Sequence, residues 1–589
     1  MSEKYTVTNY SVESLLTYIK NNEIAVPEIQ RPFVWSGKQV RDLIDSLYNG
    51  YPTGYLIIWQ NPSVRLKSGE TSGGKKILID GQQRITALMT AIVGKEILTD
   101  NYNKKIIRIA FNPIAKDDDD RFAVATPTHK NSKMWIDDIS KVFAADFSQR
   151  KFINQYLNDN PEADEDEVER AMNKLTAIKN CQLGIIQLLP DLSINEVTEI
   201  FVRVNSQGKR LNEADFAMSK IAADSSHGGS ILRKAIDYFC RLIADESFYS
   251  YLETGDAEFM ASEYAQKISW LKNNINKIYT PDYSDMLRVS FMSAFNRGKI
   301  SVLVDLLSGR DFELRTFKEE ILEKSFSDLS VGVSNFVSKY NFEQFILSIK
   351  SAGFVTSKLL NSQMTLDFAY TLYLILQRGD EIPKTEIKRY VQKWFVLTTL
   401  TGRYTNSPES QMDRDLREIK AKGFKNFFNE NELTLWDETF WEVTLVKNLE
   451  TTNTGSPYFN VYLAAQIFSG DHALFSAARV ENLLTVAGDI HHIFPKEYLK
   501  NHGYNSRTQV ANFALLDTTL NVSIGKKAPC EYFSTALENY EHEEVFWKNL
   551  SENCIPREIL NMTYEHYDKF LEQRRQLMAQ KIQQYYARL

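Results

Sequence analysis

Lys75–Val93 reads KKILIDGQQRITALMTAIV, and its reading decides the fold of the N-terminal segment. Lys75–Gly81 is rich in Ile and Leu and closes on an Asp-Gly turn, which predicts a strand. From Gln83 to Val93 the apolar residues recur at helical spacing, so a helix follows the turn directly. This order sets a carboxylate (Asp80) and a glycine (Gly81) at a strand end. Two amides (Gln82, Gln83) and a guanidinium (Arg84) stand at the helix start. Such a set suits a phosphate or a nucleotide. Backbone N–H groups at a helix N-terminus favour anions, and Arg84 can grip a phosphate through two parallel bonds. Asp80 can hold a divalent ion or orient a water. An Asp-Gly turn beside a surface arginine would account for the same residues.

Working outward, GYLIIWQN (Gly54–Asn61) and KKIIRIAFNP (Lys104–Pro113) predict two more strands. INEVTEIFVRVNSQG (Ile194–Gly208) predicts a helix ended by a glycine turn. Two of the neighbouring segments offer an arginine close to an amide. VPEIQRPFVW (Val26–Trp35) holds Gln30 and Arg31, and IFVRVNSQGKRLNEADF (Ile200–Phe216) holds Arg203 and Asn205. Buried Arg and Asn are costly unless paired. These groups therefore pair with one another around Asp80, or they converge on an anionic ligand. SGGKKILID (Ser72–Asp80) lacks the GxxxxGK[ST] spacing of a Walker loop and precedes a strand, not a helix.

The chain of 589 residues is long for one core, and an α+β multidomain class is expected. The mixed α/β segment runs to about residue 225. Residues 226–450 read as helical throughout, as in GGSILRKAIDYFCRLIAD (Gly228–Asp245) and LDFAYTLYLILQRG (Leu366–Gly379). Aromatics at helical intervals there are expected to pack a core. TTNTGSP (Thr451–Pro457) has linker composition and opens a third segment, 451–589, which ends in the helical FLEQRRQLMAQKIQQYYARL (Phe570–Leu589). No apolar run is long enough to span a membrane, and MSEKYTVTNY at the start lacks the pattern of a signal peptide. Four widely spaced cysteines (Cys181, Cys240, Cys530, Cys554) read as reduced thiols of a cytoplasmic protein. The net charge of −7 excludes binding to nucleic acid by bulk charge. It leaves room for a basic cleft, because the acid runs Asp117–Asp120 and Glu162–Glu169, read as a solvated loop and a solvated helix start, carry much of the excess.

A second constellation lies in VAGDIHHIFPKEYL (Val486–Leu499), where two of the chain's eight histidines are adjacent. A metal nuclease needs a base to activate water beside an ion that stabilises the leaving oxygen. In a ββα site the ligand and the base sit side by side on a strand, and an asparagine and a further ligand follow. The sequence offers His491 as metal ligand, His492 as base, Asn512 to orient the base, and Asn521 as second ligand. Asp489 is a rival ligand. Lys526 and Lys527 meet phosphates or form a solvated basic pair. His472 and His502 read as surface residues. Adjacent strand residues face opposite sides, so the paired roles of His491 and His492 require a local bend.

PEIQRPFVW, YPTG (Tyr51–Gly54), IDGQQR and FVRVNSQGKRL, in that order, resemble the N-terminal domain of GmrSD-type modification-dependent restriction enzymes. That resemblance implies a ParB/sulfiredoxin-like fold over about the first 220 residues. It also implies binding and hydrolysis of an NTP (GTP, ATP or UTP) with a divalent metal. It carries Gln30, Arg31, Asp80, Gly81, Gln82, Gln83, Arg84, Arg203 and Asn205 into a nucleotide site. HHIFP, with NFALLD and LNVSIGKKAP behind it, resembles the H-N-H nuclease domain of single-chain members, although the third position here is Asn521 and not histidine. The two resemblances imply an NTP-regulated DNA endonuclease that needs Mg2+ or Mn2+ and restricts phage DNA carrying hydroxymethylated or glucosylated cytosine. A phosphorothioate-sensing nicking NTPase shares both domains, and a nucleotide-switched DNA-binding regulator is a third class. One metal site per chain implies a homodimer or sequential nicks for a double-strand cut.

Overall fold

The computed structural model describes residues 4–21, 23–25, 33–60, 76–98, 104–116, 120–190, 192, 197, 200, 213–224, 226–273, 276–314, 316, 318–486, 489–504, 509–516 and 524–589. The chain is mixed α+β and mostly helical, with 63% helix and 9% strand. It clusters into two compact units, Met1–Gln266 with Val304–Glu323, and Lys267–Leu303 with Lys324–Leu589. The second unit thus joins most of the helical stretch to the C-terminal segment.

In the first unit, strands β1 (Tyr5–Ser11), β2 (Ile24–Ala25), β3 (Tyr55–Gln60), β4 (Lys76–Asp80) and β9 (Gln182–Leu188) form one sheet in the order β1-β9-β3-β4-β2. β1 pairs antiparallel to β9, β3 parallel to β9, β4 antiparallel to β3, and β2 parallel to β4. The four central residues of β3, Leu56 to Trp59, are all buried, because both faces of the sheet are covered. Leu56, Ile58 and Leu78 pack with Val12, Leu15, Ile44, Ile85 and Leu88. These come from helices α1 (Val12–Lys20), α2 (Gly37–Tyr48) and α3 (Gln82–Ile92). Ile57, Trp59, Ile77, Ile79 and Leu188 form the other face. The register of β3 on β4 jumps from Ile57↔Asp80 to Ile58↔Leu78. This leaves Ile79 as the extra residue of a bulge, a device that re-aims neighbouring side chains.

The single strand expected over Lys104–Pro113 is broken. Ile97–Leu98 (β5) pairs with Lys104–Lys105 (β6), and Ile109–Phe111 (β7) pairs with Phe122–Val124 (β8). Between the two pairs, Arg108 forms an ion pair with Asp138. The acid-rich Glu162–Glu169 is the expected helix start, with Asp164 capping Glu165–Thr176. The helix expected over Ile194–Gly208 falls largely outside the described residues.

In the second unit, helices α4 (Tyr283–Phe295), α5 (Gln363–Arg378) and α6 (Lys384–Thr401) enclose a polar group in an apolar core. Arg288 Nη1 donates to Asp285 Oδ1 at 3.2 Å and to Asp367 Oδ2 at 2.6 Å, and the Tyr279 hydroxyl donates to Asp367 Oδ1 at 3.0 Å. Burial, followed by the nearby Asp367 carboxylate, pushes the Asp285 carboxyl up to about 8 against the pull of Arg288. Helix α7 (Pro457–Ser469) follows the predicted linker and is buried along Phe459–Gln466. The C-terminal stretch then carries strands β10 (Asp489–His492) and β11 (Phe513–Leu516), and helices α8 (Pro529–Glu538), α9 (Glu543–Glu552) and α10 (Tyr567–Arg588). None of the described helices is long and apolar enough to cross a membrane. All four cysteines lie outside disulfides, Cys240 and Cys554 buried and Cys181 and Cys530 half-buried.

Candidate functional site

At the end of β4 the chain turns through Gly81 at φ +99° into α3. A side chain here would be strained by that φ, and its Cβ would lie 2.0 Å from Leu56 Cδ2. The turn brings Asp80 and Arg84 together. Arg84 Nη2 donates to Asp80 Oδ2 at 3.1 Å, and Nη1 donates to the Thr53 carbonyl at 3.0 Å. Gly54, at φ +82°, makes room for this clasp, since a Cβ there would lie 2.9 Å from Arg84 Nη1. Burial lowers the Arg84 pKa from its ordinary value while Asp80 opposes the shift. Gln83 Oε1 accepts from the Val34 N–H at 2.8 Å, tying the helix start to the segment after Arg31. Gln82 is half-buried at the first position of α3. A cavity of about 10 Å3 under the clasp, lined by Leu43, Leu56, Leu88 and Arg84 among others, is about the size of one water. Of the two arrangements open to Arg84, the structure thus contains the pairing with Asp80. Gln30, Arg31, Arg203 and Asn205 lie outside the described residues.

The two histidines lie where the sequence puts them, at the end of a strand. β10 runs antiparallel to β11 with His491↔Ala514 and His492↔Phe513. His491 is buried, its ring edge-on to Tyr532 at 6.0 Å. His492 is half-buried, its ring edge-on to Phe513 at 4.9 Å. The chain bends immediately after it, at Ile493 and Phe494. Every main-chain polar group of that bend is satisfied. The Ile493 N–H donates to the Asn512 carbonyl at 2.8 Å, and its carbonyl accepts from the Tyr532 hydroxyl at 2.6 Å. The Phe494 N–H donates to Asn512 Oδ1 at 2.7 Å, and Asn512 Nδ2 donates back to the Phe494 carbonyl at 3.0 Å.

Asn512 is fully buried. Its amide grips the main chain two residues beyond His492. Sequence reasoning missed the rest of this brace. Arg574 of α10, 0% exposed, donates to the carbonyls of Ala511 (2.7 Å) and Asn553 (3.1 Å). Phe494 packs on Tyr567 and Phe570 of the same helix. An isolated basic residue in an otherwise apolar helical stripe was the available signal for Arg574.

His492 Nε2 is buried with no hydrogen-bond partner among the described residues. Burial first, then Lys496 and His491, lowers its pKa to about 4, so the ring is neutral. Neutral imidazole is the form that accepts a proton or binds a metal. That chemistry fits a divalent ion in part. Among the described residues no three His, Cys, Asp or Glu side chains gather into a metal cluster. Asn521 lies outside the described residues, and nothing is described of the Asp489 side chain. Lys526 and Lys527 are exposed in the turn before α8, and Lys496 is exposed four residues after His492, a position that sequence reasoning passed over. His502 is exposed with its ring stacked on Tyr564 at 4.1 Å, while His472 is half-buried and bonded to Glu552.

Comparison with known proteins bears on the first of these regions. An uncharacterized protein of Methanocaldococcus jannaschii, MJ0686, is 22% identical over 648 residues, spanning 98% of this chain and 99% of that protein. Residues 12–222, which hold the Asp80–Arg84 turn, match the family model for the N-terminal domain of GmrSD restriction endonuclease, and over that segment the chain is GmrSD-like.

Proposed function

We propose that this protein is a DNA endonuclease of restriction type, cutting at His492 under the control of an NTP bound near Asp80 and Arg84. The observation that carries the cleavage reading is the braced bend, which holds a neutral imidazole with an unpartnered Nε2 at the end of β10. His492 takes a proton from the attacking water. Asn512, with Tyr532 and Arg574 behind it, holds the main chain that carries the base. A divalent ion (Mg2+ or Mn2+), held by His491 and Asn521, would neutralise charge on the scissile phosphate and the leaving oxygen. Lys526, Lys527 and Lys496 present exposed charge for flanking phosphates.

The control reading rests on the match over residues 12–222 and on the Arg84 clasp. A phosphate at the start of α3 would compete with Asp80 for the guanidinium, so nucleotide occupancy and the local turn are coupled. The ParB-like and H-N-H folds, modified phage DNA as substrate, a homodimer and a cytoplasmic location belong to the same proposal. The test incubates the purified protein with plain, hydroxymethylated and glucosylated DNA, with Mg2+ or Mn2+ and each NTP. Asp80→Ala and Arg84→Ala are expected to lose NTP turnover. Unchanged turnover in both would sink the nucleotide site.

A further inference from the structure

A cavity of about 510 Å3 opens in the second unit between the segment His472–Ala477 and α9 with the turn before it, Asn539–His542. One wall is aromatic. Phe475 lies parallel to Phe546, with centroids 6.2 Å apart and planes 7° apart, and Tyr540 stands edge-on to Phe546 at 5.5 Å. Apart from Ala477 and Val545, the rest of the lining is polar and of both signs, including His472, His542, Lys548 and Glu552. Glu552 accepts from the His472 N–H at 3.0 Å, and its carboxylate lies 3.2 Å from His472 Nδ1. Lys548 Nζ lies 3.7 Å from the other Glu552 oxygen.

The wall is a built feature. Phe475 has φ +54°, a conformation that a bulky residue holds only when its surroundings impose it. The buried Asn549 imposes it, with Oδ1 accepting from the Phe475 N–H at 2.8 Å and Nδ2 donating to the Ala473 carbonyl at 2.9 Å. The same segment is joined to the histidine strands. The Leu474 N–H donates to the Leu515 carbonyl of β11 at 3.0 Å. The Phe475 ring packs edge-on to Tyr532 at 6.2 Å, and Tyr532 holds the Ile493 carbonyl behind His492.

An aromatic corner beside donors and acceptors suits a planar ring with a polar edge, and the volume falls in the ligand-pocket range. We infer that the cavity takes a base unstacked from the DNA strand, stacked on Tyr540 with Phe475 against its edge, and with its polar edge read by His472, Lys548 and Glu552. This rests on the DNA-cleaving reading above. A base seated there is joined through Phe475 and Tyr532 to the bend that carries His492, so occupancy and the positioning of the base are coupled. Enzymes that act on or read a single base pay to unstack it and recover the cost in such a pocket.

The test is photocrosslinking of the full chain to a duplex carrying one 5-iododeoxyuridine, with the crosslinked peptides mapped by mass spectrometry. Crosslinks are expected in the peptides holding Phe475 or Tyr540. Tyr540→Leu is expected to reduce their yield about tenfold or more, and Tyr540→Phe to keep it. Crosslinks only at other sites, or an undiminished yield in Tyr540→Leu, would overturn the proposal. His492→Ala separates the two readings, because it is expected to keep the crosslink and lose cleavage. If it crosslinked and still cut, the pocket would stand and His492 would not be the base.

Discussion

Replacing Asn512 by alanine removes two buried bonds at once and leaves the N–H and the carbonyl of Phe494 without partners. Each buried main-chain group so stranded costs about 1–3 kcal/mol. The bend after His492 should therefore open more easily by about 2–6 kcal/mol. At about 1.4 kcal/mol per factor of ten, the lower bound is roughly a thirty-fold rise in the open population. Hydrogen exchange on peptides spanning residues 490–499 reads this directly, with peptides from β4 as an internal control that should not change. Cleavage should fall with the loss of protection. Asn512→Asp keeps the acceptor for the Phe494 N–H but sets an oxygen against the Phe494 carbonyl, so it should be intermediate. Lost cleavage with unchanged protection of the bend would refute the brace and return Asn512 to direct contact with the imidazole.

Other expectations follow from the same bonds. Tyr532→Phe deletes the 2.6 Å bond to the Ile493 carbonyl and should speed exchange in the same peptides by about 1–2 kcal/mol, with a smaller loss of cleavage than Asn512→Ala. Gly54→Ala and Gly81→Ala each combine a positive φ with a clash at the Arg84 clasp or at Leu56. Calorimetry should show the first unit destabilised by about 1–3 kcal/mol in each, and a melting profile like that of the unaltered chain would contradict the clasp. Asp285 is held protonated to about 8 in the folded chain and ionises near 4 when unfolded, so the folded state binds more protons between those values. Its stabilising contribution is complete below about pH 4 and is lost as pH rises towards about 8, at no more than about 1.4 kcal/mol per pH unit. Asp285→Asn should flatten that fall in the thermal midpoint of the second unit, and parallel curves for the two proteins would contradict it.

Much of the Asp80–Arg84 turn was legible because its signals are local. The run KILID, closed by Asp-Gly and followed by helical spacing, yields β4 at Lys76–Asp80 and α3 at Gln82–Ile92, within a residue or two of the expectation. The histidine strand and the long helices were legible for the same reason. β1 and β9 were passed over. YTVTNYS is mostly exposed and QLGIIQL carries a glycine, so neither has the continuous apolar run of β3. The bracing by Asn512 and Arg574 could not be read either, since in both a polar side chain meets main-chain groups that carry no sequence signature. Asn512 reaches Phe494, eighteen residues away, and Arg574 reaches Ala511, sixty-three residues away. The register of His491 and His492 was predictable from strand alternation, whereas the bend that follows them depends on Tyr532, which no local pattern ties to Ile493.

The most direct test of the central claim is cleavage by His492→Ala beside the unaltered chain, on plain and modified DNA with Mg2+ or Mn2+ and each NTP. His502→Ala serves as the control for an exposed histidine outside the bend. The expected result is that the unaltered chain and His502→Ala cut, and that His492→Ala, with an unchanged melting profile, does not. Cutting by His492→Ala at the rate of the unaltered chain would contradict it.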